Sequence, residues 1–287
     1  MELSEATALS SHFITSLLFK IHSLPASARS ASAVEWWRGE GSRIPLGPAL
    51  KEARRHLGHF ASRPRTKIGG RQIFVTLSAI VNDDGQGSCP ALSGNLCSIY
   101  DARPLTCRTV PMHYSRAPST LGRYIDSFTS TPGYRCDTTP SAPMVLNGNE
   151  VLDPLICEHR NQAIELAKID RTWKKHMLQL MDDDKQAGAA QLPTFKAVIE
   201  NANRGYFTQL PMIVAWRAAM RIGLLSSADF TDICRKQLAL IKARLPVSGT
   251  AELSAELHDL MALYQFELAA AERREEETHS LMNRSRN

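Results

Sequence analysis

Apolar residues near the start of the chain recur at the interval of a helix. Leu9, Phe13 and Leu17 are spaced four residues apart, so they would lie on one face of a helix. We therefore expect a first helix over residues 3–23. It should end before Pro25, because proline is not tolerated in a helix interior.

Two further helices and a strand region are expected next. The helices are predicted over residues 32–37 and 48–61, and the second has apolar residues in register on one face. Residues 72–81 alternate instead and are rich in Ile, Phe, Val and Thr, which is typical of a strand. Residues 83–85 read Asp-Asp-Gly, which is typical of a turn. This part of the chain should contain one or two short strands.

From residue 152 onward the pattern is helical almost throughout. Helices are expected over residues 156–181, after Pro193, and over residues 212–225, 230–245 and 251–278. Pro211 suits the opening of one of them, while Ser227 and Asp229 suit the start of the next. The second half of the chain should therefore be a helical region.

Length and composition are those of a folded protein. The chain has 287 residues, of which 43% are hydrophobic and 22% charged, and this is enough to bury a core without disulfides. We expect a mainly α protein with a small α+β cysteine-rich module. The expected division is N-terminal helices over residues 1–64, the cysteine-rich module over residues 65–145 and a helical C-terminal region over residues 146–287.

Charge and the N-terminal sequence restrict partners and location. A net charge of +5 is too small to identify a partner, and no aromatic residues interleave with the basic ones, which argues against nucleic acid. The first apolar run is broken by Ser, His and Lys before it reaches signal-peptide or membrane length. We expect a cytoplasmic protein without a membrane anchor. In that reducing compartment, clustered thiols favour metal binding or redox chemistry over structural disulfides.

Four of the six cysteines lie in one short stretch of the chain: Cys89, Cys97, Cys107 and Cys136. The first three are flanked by Pro, Gly, Asn, Arg or Asp, which is typical of turns. Thiolates are soft anionic donors, and four of them satisfy a tetrahedral ion or a four-iron cluster. Their spacing matches neither zinc ribbons nor ferredoxins. The four cysteines therefore predict one zinc, iron or iron–sulfur centre. Their spacing does not indicate which metal is bound.

The residues around these cysteines resemble a known family. The run CPALSGNLCSIYDARPLTCRTVP begins at Cys89. It resembles the second half of the YkgJ-like cysteine-cluster proteins, described as zinc- or iron-chelating domains, where the pattern reads C-P-x-L, C-x-I-Y, R-P, C-R and P. A further downstream cysteine of that family corresponds to Cys136. The resemblance covers about residues 65–140, and it implies a bacterial metal-binding protein.

The chain departs from this family in one respect. The family usually opens with a CxxCxxCC segment, whereas this chain has no cysteine before Cys89. The corresponding residues 68–82 read IGGRQIFVTLSAIVN, which keeps a strand-like character without any thiol. The resemblance therefore implies a degenerate member with one site at most.

Several other residues are weaker candidates for the same site. Cys157 and His159 lie just beyond the cysteine-rich region, and Cys157 is the reserve ligand if Cys136 proves remote. His113 would replace a missing thiolate in a Cys3His site. Cys234 lies on an apolar helical face and is expected in the core.

Some polar residues near the motif have structural explanations. His56 and His59 form an HxxH pair on a helix, but no carboxylate or cysteine is close to them in sequence, so packing is the preferred interpretation. Asp101 and Arg103 suit a turn. As cations, Arg103 and Arg108 would also offset the negative charge of thiolates.

Three hypotheses follow from the sequence. The first is a metal-binding module, and the second is a metal-dependent enzyme acting on a protein or peptide, which the resembled family's association with protein methylation suggests. The third is a helical interaction protein with a vestigial cysteine cluster. A closed four-cysteine site favours the first hypothesis, and an open position in a pocket beside His113 or Tyr114 favours the second. Widely separated thiols favour the third.

Overall fold

The structure, a computed structural model, describes residues 1–25, 46–68, 71–82, 88–94, 96–130, 139, 141–148 and 150–284. The first half contains α1 (Leu3–Ala8), β1 (Thr15–Pro25), α2 (Leu46–Phe60), β2 (Ala61–Ile68), β3 (Arg71–Val81), β4 (Leu92–Ser93), β5 (Leu96–Cys97), α3 (Leu105–Arg108) and α4 (Pro118–Thr129). The second half contains β6 (Leu146–Asn147), β7 (Glu150–Val151), α5 (Pro154–Ile169), α6 (Arg171–Met181), α7 (Asp184–Ala189), α8 (Phe195–Asn203), β8 (Thr208–Pro211), α9 (Ile213–Arg221), α10 (Ser227–Arg244) and α11 (Ala251–Arg284). The protein is mainly α, as the sequence predicts. Within the described part of the chain, no helix combines the length and apolarity needed to cross a membrane.

A four-stranded antiparallel sheet joins distant parts of the chain, in the order β2–β3–β1–β8. β1 and β3 pair along their full lengths, from Thr15 opposite Val81 to Pro25 opposite Arg71. β8 pairs with the other edge of β1. The sheet therefore takes strands from each of the three segments into which the sequence divides the chain.

One face of this sheet belongs to the main apolar core. Side chains alternate along a strand, so every second residue of β1 and β3 points to this side. The two strands contribute Leu17, Phe19, Ile73, Val75, Leu77 and Ala79. The C-terminal helices supply most of the rest of this core, including the fully buried Trp173, Trp216 and Phe230, and residues in and around α1 also contribute.

The opposite face of the sheet is part apolar and part polar. At one end, Leu24 and Phe74 pack against α2 in a smaller core. Lys20, His22 and Thr76 alternate with the main-core residues, so they also lie on this side. This polar part of the sheet borders a cavity.

The single helix expected over residues 3–23 is wrong. The structure has the short α1, a turn and then the strand β1. Leu17, Phe19 and Ile21 also fit the alternation of a strand, and β1 has pairing partners at both edges. These long-range pairs decide the outcome, because a sequence pattern that fits both elements is resolved by tertiary contacts.

Most other expected elements are confirmed. The helix expected at residues 48–61 is α2, the strand at residues 72–81 is β3, and the C-terminal region is helical. The structure adds β8, a short strand between two helices that the pattern does not predict. The helix expected at residues 32–37 and the turn at residues 83–85 lie outside the described residues.

Polar side chains determine where several C-terminal helices begin and end. Asp153 caps α5, and Ser226 caps α10 by accepting a hydrogen bond from the backbone N–H of Asp229 at 3.0 Å. The cap is thus one residue earlier than the sequence suggests. The single helix expected over residues 156–181 is two helices, α5 and α6, which meet at Asp170. The carboxylate of Asp170 accepts a hydrogen bond from the backbone N–H of Leu3 at 2.6 Å.

Candidate metal centre

Cys89 and Cys97 are positioned by a small hairpin. β4 and β5 pair with Leu92 opposite Cys97, and the backbone N–H of Leu92 donates to the carbonyl of Cys89 at 3.0 Å. Gly94 lies between the two strands with a φ of 62°, a conformation that glycine adopts without steric cost. The hairpin therefore brings Cys89 and Cys97 to its open end.

Cys107 lies on α3, next to a bracing network of arginines. The guanidinium of Arg108 donates to the carbonyls of Asp101 and Arg103, the second at 2.7 Å. The guanidinium of Arg103 lies over the Tyr100 ring, 3.8 Å from its centroid. Arg108 thus holds the turn that precedes α3, a structural role that the sequence suggests for Asp101 and Arg103 but not for Arg108.

Cys89 and Cys97 affect the pKa of the Cys107 thiol. Although much of the Cys107 side chain is accessible, its thiol pKa is raised, first by burial of the group and then by the neighbouring Cys89. Cys97 acts in the same direction, whereas Arg103 opposes the rise. Such mutual repulsion between thiolates is relieved when a cation binds among them.

The described residues do not by themselves complete a coordination sphere. Among them, no three His, Cys, Asp or Glu side chains lie close enough together to hold one ion. Cys136 lies outside the described residues, so the convergence of four thiols stays a prediction. The donor type suits a soft metal, but the three described thiols are not close enough together to share one ion.

Arg160 on α5 supports the loop that follows α3. Its guanidinium is buried and donates to the carbonyls of Met112 at 2.7 Å, His113 at 2.9 Å and Arg116 at 2.8 Å. These charge-assisted bonds fix the path of residues 112–116. The sequence does not mark Arg160, because a single arginine in a helical pattern usually faces solvent.

His113 is neutral at pH 7 and carries its proton on Nε2. Its Nδ1 accepts a hydrogen bond from the backbone N–H of Ser115 at 3.2 Å, so Nδ1 cannot itself hold the proton. Burial lowers the pKa of His113 to about 4, and Arg116 and Lys20 are among the cations that add to this effect. Coordination through Nε2 would require the other tautomer. This geometry therefore favours His113 as a hydrogen-bond donor over a metal ligand.

A cavity of about 340 Å³ adjoins Cys107. Lys20 and His22 line it from the polar face of the sheet, and His113 and Tyr114 line it from the loop. Burial lowers the pKa of His22 to about 4. Partial burial also lowers the pKa of Lys20, although much of this residue is exposed. The volume lies at the lower end of the range for small-molecule sites. The sequence gives no signal for Lys20 or His22, because only the register of the sheet places them here.

The remaining cysteines lie in other surroundings. Cys157 donates through its Sγ to the carbonyl of Val151 at 3.2 Å and lines a separate groove of about 1280 Å³. His159, close to it in sequence, is buried. Cys234 is fully buried in the main core, and burial raises the pKa of its thiol to about 12. Cys234 is therefore a packing residue, as the sequence predicts.

The HxxH pair takes part in packing. The rings of His56 and His59 lie 6.0 Å apart. Nε2 of His56 donates to the carbonyl of Tyr114 at 2.8 Å, so that nitrogen is occupied, and the ring packs against Phe60 with centroids 5.3 Å apart. His56 thus supports the loop from the side of α2.

Comparison with known proteins identifies no relative: no family model, no curated protein and no solved structure matches the chain. The functional argument therefore depends on the residues and geometry of this chain. The resemblance at residues 89–111 remains a hypothesis about its chemistry.

Proposed function

We propose that the protein binds one zinc ion or iron centre, iron–sulfur clusters included, through Cys89, Cys97, Cys107 and Cys136. The observation that carries this proposal is that the β4–β5 hairpin brings Cys89 and Cys97 to its open end, near enough to Cys107 to interact with it electrostatically. Three soft donors from one short segment share one neighbourhood, and a fourth follows in sequence. The cysteine-rich part would then be a small α+β module built from the hairpin, α3 and α4.

The surroundings of the thiols support a metal over a structural disulfide. In the cytoplasm, where we expect the protein, thiols stay reduced and are free unless they bind a metal or take part in redox chemistry. Arg103 offsets part of the negative charge that three thiolates would accumulate around Cys107. When bound, zinc would supply a closed cross-link without redox chemistry, and iron would supply redox chemistry. The resemblance to the YkgJ-like proteins supports the same assignment.

The cavity beside Cys107 favours a second candidate, a metal-dependent enzyme acting on a protein or peptide. A catalytic metal site needs an open position next to the ion, and this cavity reaches both Cys107 and the Nε2–H donor of His113. In this candidate His113 binds or orients a substrate and does not ligate the metal.

Metal analysis of protein purified without oxygen tests the main proposal. We expect about one equivalent of zinc or of mononuclear iron per chain, or about two to four equivalents of iron if the centre is an iron–sulfur cluster. Cys97→Ser should remove most of the metal, because it removes one of only four soft donors. Cys234→Ala is the matched control, since Cys234 is buried in the main core and should leave the metal content unchanged.

Four outcomes would contradict all or part of the assignment. A metal-free wild type, or equal metal content in Cys97→Ser and Cys234→Ala, would leave a helical interaction protein with a vestigial cluster. A reversible disulfide between Cys89 and either Cys97 or Cys107 would instead indicate a thiol switch. Loss of metal from Cys157→Ser but not from Cys136→Ser would make Cys157 the fourth ligand.

A further inference from the structure

Two cationic side chains, Lys20 and Arg116, gather with the neutral imidazole of His22 at one end of the cavity beside Cys107. Lys20 and His22 line this cavity and also a smaller adjoining one of about 30 Å³. Arg116 lines the smaller cavity. Because the two spaces share residues, they meet at Lys20 and His22. Arg116 borders the smaller space, and its guanidinium lies 4.8 Å from the centroid of the Tyr124 ring.

Among the described lining residues, few negative charges face the positive charges of Lys20 and Arg116. Among the described residues that line the two cavities, the single carboxylate is that of Glu2, which is buried and paired with Lys174. After burial, the groups that lower the pKa of Lys20 and His22 are other cations: Arg116 acts on both, and Lys20 acts on His22. Partly desolvated cations that repel one another are stabilised by a bound anion.

The rest of the cavity suits a small organic molecule. Leu18, Leu57 and Phe60 give part of the lining an apolar character. His113 adds an Nε2–H donor, because its Nδ1 is occupied by the backbone N–H of Ser115. A volume of about 340 Å³ holds a small molecule and excludes a folded partner.

We propose that this cavity binds a small organic anion, whose carboxylate or phosphate group contacts Lys20 and whose apolar body lies among Leu18, Leu57 and Phe60. Cationic donors at one end and apolar side chains at the other are the arrangement that recognises such a molecule. The site does not require a metal, because none of these residues is a proposed metal ligand.

Calorimetric titration of the full chain at pH 7.5 tests the proposal with three probes. Benzoate and phenyl phosphate combine an aromatic body with a carboxylate or a phosphate, and benzylamine has a similar body with a positive charge. We expect saturable binding of at least one anion and none of benzylamine. Lys20→Met should weaken that binding by about tenfold or more, because it removes a charge-assisted hydrogen bond.

Matched variants make the result specific. Lys196→Met is the control, since Lys196 is exposed on α8 and lies 3.9 Å from Glu200. Arg116→Met tests the same site without changing the sheet, and it should also weaken binding. No saturable binding of either anion, equal binding of benzylamine and benzoate, or equal affinities of Lys20→Met and Lys196→Met would overturn the proposal. The two proposals can be tested separately. Anion binding that is retained by Cys97→Ser after its metal is lost would show that the cavity binds anions without the metal.

Discussion

Replacing Arg160 by methionine tests how the loop beside the cavity is held. The guanidinium donates to three carbonyls, those of Met112, His113 and Arg116, at 2.7, 2.9 and 2.8 Å. Methionine keeps an apolar stem of similar length but has no donor. The three carbonyls would then be left without this partner inside the fold, and the loop would lose its attachment to α5.

The expected loss of stability follows from these bonds. A hydrogen bond from a charged donor contributes about 1.5–3 kcal/mol, so three give an upper limit of about 5–9 kcal/mol. The substitution also removes the cost of burying a guanidinium, whose pKa burial already lowers. Arg160 is 8% exposed, so little water reaches the carbonyls to replace it. We therefore expect a net destabilisation of about 3–5 kcal/mol.

Urea unfolding followed by circular dichroism measures this loss. Arg235→Met is the control, because Arg235 pairs with Glu272 on the exposed surface, and it should change stability by less than about 1 kcal/mol. Arg160→Lys should recover only part of the loss, because one ammonium group cannot reach three carbonyls. If Arg160→Met destabilises the protein no more than Arg235→Met does, the bracing role is refuted.

Two further predictions concern buried charges. Lys174→Met should lower the free energy of unfolding by about 3–5 kcal/mol, because it leaves the Glu2 carboxylate buried without its cationic partner. Lys168→Met, which removes an exposed ion pair with Glu165, is the control and should change the free energy of unfolding by less than about 1 kcal/mol. Stability should also fall as the pH is lowered from about 6.5 to about 4, because burial lowers to about 4 the pKa of His22, His56 and His113. In this window the three histidines are protonated in the unfolded chain and not in the folded chain. Asp170 has the opposite effect, because burial and Glu2 raise its pKa to about 7, so it binds one proton in the folded state. Urea midpoints that stay constant across this window would contradict the second prediction.

The helices could be predicted from the sequence where their apolar pattern is local and unambiguous. This holds for α2 and for the helices after residue 152, whose apolar faces repeat at the helical interval. It fails for β1, because Leu9, Phe13 and Leu17 satisfy the helical interval while the pairing partners of β1 lie far along the chain. β8 is too short to produce a recognisable alternation.

The candidate site could be predicted only in part, for a similar reason. Cysteine is a rare residue with specific chemistry, so its clustering identifies the segment that contains Cys89, Cys97 and Cys107. Lys20 and Arg160 have no such signal. The sheet register places Lys20 beside the cavity, and the contacts of α5 place Arg160 under the loop. Both placements are properties of the folded chain.

The sheet connects the stability of the core to the chemistry of the cavity. β1 and β3 pair over the full eleven residues of β1, and a slip by one residue would exchange the two faces of the strand. Lys20 and His22 would then enter the main core, while Leu17 and Phe19 would face the cavity. Burial of Leu17 and Phe19 therefore holds Lys20 and His22 toward the cavity, although the positive charge of Lys20 repels that of Arg116 and disfavours protonation of His22. The free energy of the apolar core thus maintains an arrangement of cations that would be unfavourable alone. An anion bound in the cavity would reduce the repulsion between these cations.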